Sequence, residues 1–254
     1  MQKFLMAAVA AISLSAAAGS ALADDWSGLY GGVTVGAQVD PERKVQTVGT
    51  AGFRTLTPTI APTQLSPKLE GTTFGLVAGY NFTTDGALIW GVEGDVSGGG
   101  DQKQASFSGA PIAGLAPAGI TTSARKEYGV RGSLRGRLGT VVNDTILIYG
   151  TGGLAVAEVK TKASVVANGA PTVAWTGTKK DTLTGWTAGV GAEFKLGERI
   201  TLRGEYLYTD LGKSRVTAAG NSTVRGIAAL NGIDYVARTE YKGGEVRLGV
   251  LTSF

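Results

Sequence analysis

Three arginines, Arg131, Arg135 and Arg137, share the odd positions of the segment 127–138 with Glu127 and Ser133, while Tyr128, Val130, Gly132, Leu134, Gly136 and Leu138 take the even ones. The same division sets Glu93 and Asp95 against Leu88, Trp90, Val92 and Val96, and Arg203 and Glu205 against Ile200, Leu202, Tyr206 and Tyr208. Glu193 and Lys195 oppose Trp186, Ala188, Val190, Ala192 and Phe194, and Glu245 and Arg247 oppose Val246, Leu248, Val250 and Phe254. Collected on one face, six acids (Glu93, Asp95, Glu127, Glu193, Glu205, Glu245) meet six bases (Arg131, Arg135, Arg137, Lys195, Arg203, Arg247). The chemistry open to such a set is mutual ion pairing. Matched charges fill a narrow polar interior, whereas either sign alone repels itself.

Other chemistry is poorly served. The chain has no His and no Cys, and its two methionines are Met1 and Met6. An imidazole or thiolate metal site, a Ser-His-Asp triad and a disulfide framework are therefore all excluded. Ser133 near Glu127 and Glu205 forms a polar group without an imidazole partner, and interior packing accounts for all three. Gly150-x-Gly152-Gly153 precedes no helix and no Gly-Lys-Ser/Thr, so it is not a phosphate loop. No catalytic, cofactor-binding or metal-binding residue is assigned, and no cofactor is expected. Basic residues are spread along the chain in no run longer than two, as at Arg43-Lys44 and Lys179-Lys180, despite a net charge of +4, which argues against nucleic acid as a partner.

The elements that carry these charges have a period of two, which places them on one face of a strand and would scatter them around a helix. Segments 28–38, 71–82, 87–97, 127–138, 145–158, 183–195, 200–209 and 244–254 read as eight strands. Short links at Thr83–Gly86, Gly139–Asp144 and Gly197-Glu198 alternate with long ones at 39–69, 98–125, 159–182 and 211–240. Four such long connections are foreign to a compact soluble domain, where medians are about five residues. Their Ala, Gly, Thr, Ser and Pro content, as at Ala110-Pro111 and Ala116-Pro117, predicts mobile loops and not a packed second unit.

Residues 1–23 place Lys3 before a short apolar run and end in Ala21-Leu22-Ala23, the pattern of a cleaved secretory signal peptide. Residues 24–254 are then the exported domain. Its fold class is expected to be all-β: an eight-stranded antiparallel transmembrane β-barrel with short periplasmic turns and four long extracellular loops. Strands in lipid must pair every backbone donor and acceptor, and closure alone removes the sheet edges. Aromatic residues are expected in two belts: Trp26, Tyr80, Phe82, Trp90, Phe194 and Phe254 near the short turns, and Phe74, Tyr128, Trp186, Tyr208 and Tyr241 near the long loops. Glycine, 40 of 254 residues against a usual share of roughly 7%, permits tight curvature and close approach in a small barrel. A soluble β-sandwich with one wet, charged face is the competing reading.

The chain resembles the small outer-membrane β-barrel proteins of alphaproteobacteria, among them Brucella major surface antigens, Bartonella hemin-binding proteins and rhizobial relatives. The likeness rests on Trp26-Ser27-Gly28-Leu29-Tyr30-Gly31-Gly32, Gly79-Tyr80-Asn81-Phe82, Gly91-Val92-Glu93-Gly94-Asp95, the run Val130–Gly139, Tyr149–Ala155, Gly185–Gly189, Glu205–Gly212 and the terminal Phe254. It implies a noncatalytic outer-membrane structural and surface protein. The implied partners are outer-membrane lipids and lipopolysaccharide, the assembly machinery through the C-terminal strand and Phe254, and host or environmental ligands at the loops. Two alternatives are a small porin or channel and a haem-binding surface protein. An eight-stranded lumen is usually filled by side chains, which weighs against the first. The second would depend on a Tyr ligand, with Tyr235 the loop candidate.

Overall fold

The computed structural model describes residues 26–39, 45–47, 62–65, 69–83, 88–102, 104–111, 113, 116–142, 145–168 and 173–254. The expected signal segment 1–23, residues 84–86 of the expected link Thr83–Gly86 and residues 143–144 of the expected link Gly139–Asp144 lie outside them, while Gly139–Val142 belongs to the ladder. The strands are β1 (Gly28–Gln38), β2 (Val45–Thr47), β3 (Gln64–Leu65), β4 (Leu69–Thr83), β5 (Leu88–Gln102), β6 (Gln104–Ser108), β7 (Ile120–Val142), β8 (Ile146–Ala167), β9 (Ala174–Lys195), β10 (Ile200–Gly220) and β11 (Tyr235–Ser253). One short helix, α1 (Ser222–Gly226), lies between β10 and β11. Each of the expected strand segments falls on one of the long strands.

All pairings are antiparallel, in the order β1-β4-β5-β7-β8-β9-β10-β11, and β11 returns to pair with β1 from Tyr30↔Ser253 to Gln38↔Glu245. The fold is thus an all-β barrel. Beyond the end of β1 its place beside β11 is taken by β2, and beyond the β5–β7 ladder β6 takes the place beside β7. The helical turn is capped by the Asn221 side chain, which accepts from the Val224 amide at 3.0 Å.

The long strands overrun the expected loops. β8 and β9 continue through most of 159–182 and leave only residues 168–173 between them. β10 runs to Gly220, β11 starts at Tyr235, and β7 starts at Ile120, so much of 211–240 and the end of 98–125 is ladder. The reason is an inversion of side-chain chemistry along the strands. On β8 the outward residues change from Ile148 and Leu154 to Lys160, Lys162 and Ser164, while the inward ones become Ala157, Val159, Ala163, Val165 and Ala167. The alternation persists with its polarity reversed.

Several strands also change phase, β4 among them, with one residue more than β5 between Glu70 and Thr73. Between Tyr128 and Arg131 β7 carries one residue more than β8, and between Asp210 and Lys213 β10 carries one more than β11, with Gly212 at φ +78°. Such bulges move a strand's side chains to the opposite faces. Glu127 therefore faces outward, contrary to the interior position expected for it. Tyr128 and Tyr241, expected in a lipid-facing belt, lie inside, where Tyr241 is fully buried. Trp26, expected in the other belt, is also buried. Phe74, Tyr80, Phe82, Trp90, Trp186, Phe194 and Phe254 remain on the outside, with Phe82 and Trp90 stacked at 4.2 Å and Tyr208 beside Trp186 at 5.6 Å.

Candidate functional site: a filled interior

The lower interior is built where register brings opposite charges face to face. Glu93 of β5 lies across from Arg135 of β7, Glu193 of β9 across from Arg203 of β10, and Glu205 across from Arg247 of β11. Arg135 binds Glu93, Asp95 at 3.3 Å and Glu205 at 3.1 Å. Arg203 reaches Glu93 at 2.6 Å and Glu193 at 2.7 Å, and Arg137 reaches Glu193 at 2.8 Å. Nearer the middle, Arg247 joins Asp95 at 3.2 Å and Glu245 at 3.3 Å, and Arg131 joins Glu245 at 3.4 Å. Five arginines thus meet five carboxylates in one network, and the side chains of Arg135 and Arg203 are 1% exposed. Taking ions out of water is costly, and removing one partner strands the rest. The network holds because its most enclosed arginines, Arg135 and Arg203, each have two or more opposite neighbours.

Of the twelve charges expected inside, these ten come together. Lys195 lies lower, with its ammonium over the Trp26 ring at 4.5 Å. Glu127 sits on the outer surface, 3.2 Å from Arg125 and 3.3 Å from Lys162.

Two tyrosines that complete the network were not singled out by charge patterning. Tyr30 donates to Glu93 at 2.6 Å and accepts from Arg137 at 2.8 Å, while Tyr149 donates to Glu205 at 2.9 Å. Each ring lies across a cross-strand glycine, Tyr30 over Gly79 and Tyr149 over Gly191. A Cβ at Gly191 would come within 2.4 Å of the Tyr149 ring, so glycine is needed there for close approach. A tyrosine facing a glycine across the ladder marks these positions once register is known. Trp26, Ile89 and Leu147 pack against Tyr149 and close the short-turn end, where the Asn81 amide donates to the Trp26 carbonyl at 2.9 Å.

Above the network the filling changes to carbon. Lys126 donates to the Glu240 carbonyl and lies over the Tyr241 ring at 4.2 Å, and Tyr241 hydrogen-bonds Thr161 at 2.6 Å. Beyond this layer Leu65, Ala116, Ile120, Val165, Trp175, Val216, Val224, Leu230 and Tyr235 form an apolar core. The expected mobile connections therefore contain a packed second layer. Tyr235, the loop candidate for a haem ligand, is fully buried in that core. Between the two fillings a cavity of about 40 Å³ is lined by Tyr128, Arg131, Ser133, Leu211 and Glu245. It is enough for a few waters.

A polar, ion-paired interior inside an outer surface of Leu134, Leu154, Val190 and Leu248 defines a strand-built membrane protein, the reverse of a water-soluble domain. Residues 4–254 match the outer membrane protein beta-barrel domain, and the chain belongs to that family. It is 35% identical over 163 residues to the 31 kDa outer-membrane immunogenic protein of Brucella melitensis, a match covering 63% of each chain. It is 30% identical over 200 residues to the 25 kDa outer-membrane immunogenic protein of Brucella abortus, covering 79% of this chain and 72% of that one. Among solved structures it is similar in fold to the outer membrane protein OprG of Pseudomonas aeruginosa, with a TM-score of 0.50, 12% identity, and 90% and 96% of the two chains covered. The protein is a member of the small outer-membrane proteins of alphaproteobacteria. It is a protein of the bacterial outer membrane.

Proposed function

We propose that residues 1–23 are an export signal and that residues 24–254 form a closed eight-stranded transmembrane barrel whose work is structural. Short turns face the periplasm, and the long connections stand outside as a β-walled extension. The observation that carries this reading is the double filling of the interior, ionic below and apolar above. The 22 residues of β8 make roughly 70 Å of strand at about 3.3 Å each. A tilt of about 40° leaves roughly 55 Å of height against an apolar band of about 25 Å. About half the barrel thus projects as a stalk that displays the connecting segments, where host or environmental ligands would meet it. The name of the Brucella relatives, outer-membrane immunogenic protein, fits such display. Phe254 ends the strand that pairs with β1 and is the group for the assembly machinery to recognise, with outer-membrane lipids and lipopolysaccharide as surroundings.

Single-channel recording in planar bilayers tests the reading. The folded protein is expected to show no sustained conductance, with at most brief small openings as ion pairs exchange. Stable, large channels from correctly folded protein would instead establish the porin alternative.

A further inference from the structure

At one height the wall of the barrel is interrupted strand after strand. The last rung of β1 on β11 is Gln38↔Glu245, and β2 takes over at Thr239↔Val45. β5 leaves β7 after Ser97↔Arg131, and β6 joins it at Gln104↔Arg125. The bulges between Tyr128 and Arg131 and between Asp210 and Lys213 fall here too. Gln38, Ser97, Arg131, Asp210 and Glu245 each stand eight to eleven residues from the short-turn end of their strands, so the breaks share one level. Among the described ladders that cross it, only β8–β9 runs without a break, from Ile146↔Phe194 to Val166↔Ala174.

The longest break lies beside that ribbon. The β9–β10 ladder stops after Asp210↔Trp186 and resumes at Ala219↔Thr176, which leaves residues 211–218 of β10 and 177–185 of β9 without rungs between them. Water reaches this seam. Lys179 lies opposite the inward Thr161, which is 1% exposed, yet the Lys179 side chain is 48% exposed. Unpaired backbone groups are tolerable where water solvates them and costly in hydrocarbon, and the seam begins just above the lipid-facing Leu154 and Trp186. Across it Ser214 of β10 donates to Asp181 of β9 at 2.6 Å, and Lys179 holds the same carboxylate oxygen at 2.9 Å. The filling behind is no stiffer: Ala155 and Ala157 face the cavity of about 40 Å³ between the ionic network and the apolar core.

We propose that this level is an articulation: the outer stalk leans about the β8–β9 ribbon, the β9–β10 seam widens and narrows as it does, and the Asp181 contacts latch the seam closed. This rests on the transmembrane reading, in which the bilayer holds the lower barrel still. Ladder hydrogen bonds fix neighbouring strands to one another, so a wall bends where rungs are missing or bulged and stays straight where they are continuous. A hinge needs only a few residues at element ends to absorb the change. Leaning carries the connecting segments at the top sideways, while the ionic network and the outer core each move as a body.

The chain has no cysteine, so introduced thiols are the only ones. Spin labels are placed in the full-length protein in nanodiscs at L154C/K162C on β8 and at R238C/V246C on β11, two outward pairs of equal separation that straddle the level. The β11 pair is expected to give a distance distribution at least twofold wider than the β8 pair. D181A and S214A, each of which removes the bond across the seam, should widen the β11 distribution further and leave the β8 one unchanged. A second readout is the reaction of a single thiol with a water-soluble maleimide. L211C, buried behind the seam, should react at least tenfold faster than V165C, buried in the outer core, and D181A should raise the L211C rate severalfold. Equal widths for the two pairs, no response to either latch variant, or an L211C as unreactive as V165C overturns the proposal. Labels at Leu154 and Val246 report the membrane separately, since lipid-dissolved oxygen should quench them and an aqueous nickel chelate should not. The reverse would overturn the transmembrane reading, whereas lipid exposure with equal widths would overturn the articulation alone.

Discussion

The same strands build two regions with opposite solvents. Along β8, Leu154 is 72% exposed with the ionic network behind it, whereas Val165, eleven positions further on, is fully buried with Lys162 and Ser164 outside. In the lower region the solvent is hydrocarbon and the interior is polar; in the outer region the solvent is water and the interior is apolar. Backbone pairing is indifferent to the change, because ladder hydrogen bonds use no side chain. Side-chain polarity therefore decides where the membrane ends, and the difference teaches that barrel height and membrane thickness are separate properties of one sheet.

The largest expected effect is loss of the ionic centre. Arg135→Leu leaves Glu93, Asp95 and Glu205 short of a common partner and should cost about 3 to 5 kcal/mol of folding free energy. Urea titration of refolded protein in vesicles measures it. Trp175→Ala, which empties the outer core and removes a hydrogen bond to the Ile233 carbonyl, carries a comparable local cost of about 3 to 5 kcal/mol. The two should differ in reach. Arg135→Leu should impair the heat-resistant folded form on gels, while Trp175→Ala should leave that form intact and open the outer strands to protease. Identical behaviour of the two variants would mean that the regions are one cooperative unit.

A middle-sized effect separates the two outer surfaces. Leu134→Arg places a cation on the lipid face and should cost about 2 to 4 kcal/mol near the midplane. Ser164→Arg, outward on the outer part of β8, should be nearly neutral, as surface changes in water usually are. Equal costs in a vesicle refolding assay would put the boundary elsewhere.

Much of the lower region was legible because its charges sit on alternate positions between apolar ones, and five acids and five arginines read that way are the ones that meet. The outer region was hidden by composition. Val159-Lys160-Thr161-Lys162-Ala163-Ser164-Val165 keeps a period of two, but its small and hydroxylated residues resemble loop, and its apolar half is turned inward. The interior fate of Tyr128 and the outward fate of Glu127 depend on a one-residue bulge that no residue type announces, since Gly129 is one glycine among 40. On β10 the signal was slightly better: Gly212, with its positive φ, marks the corresponding step. Tyr30 and Tyr149 were readable only once register was known, because the glycines that receive them lie on other strands.

The smallest expected effect concerns a charge on the wet side of the comparison. Hydrogen bonds from Lys213 and then Lys242 hold the Glu240 carboxyl at about 2, below its ordinary 4.5. A folded-state value below the unfolded one stabilises the fold at pH above the unfolded value, and that contribution disappears as the pH falls from about 4.5 to about 2. Glu240 is largely solvated, so screening keeps the contribution to that of a surface pair, about 0.2 to 1 kcal/mol. Glu240→Gln should therefore lower the melting temperature slightly at pH 7 and match wild type near pH 2. High salt should shrink the pH 7 difference, because exposed pairs are screened where buried ones are not. Arg135→Leu, whose partners are enclosed, should keep most of its cost in the same salt series. A salt-insensitive Glu240 effect as large as that of Arg135 would erase the distinction between a wet outer charge and a dry inner one.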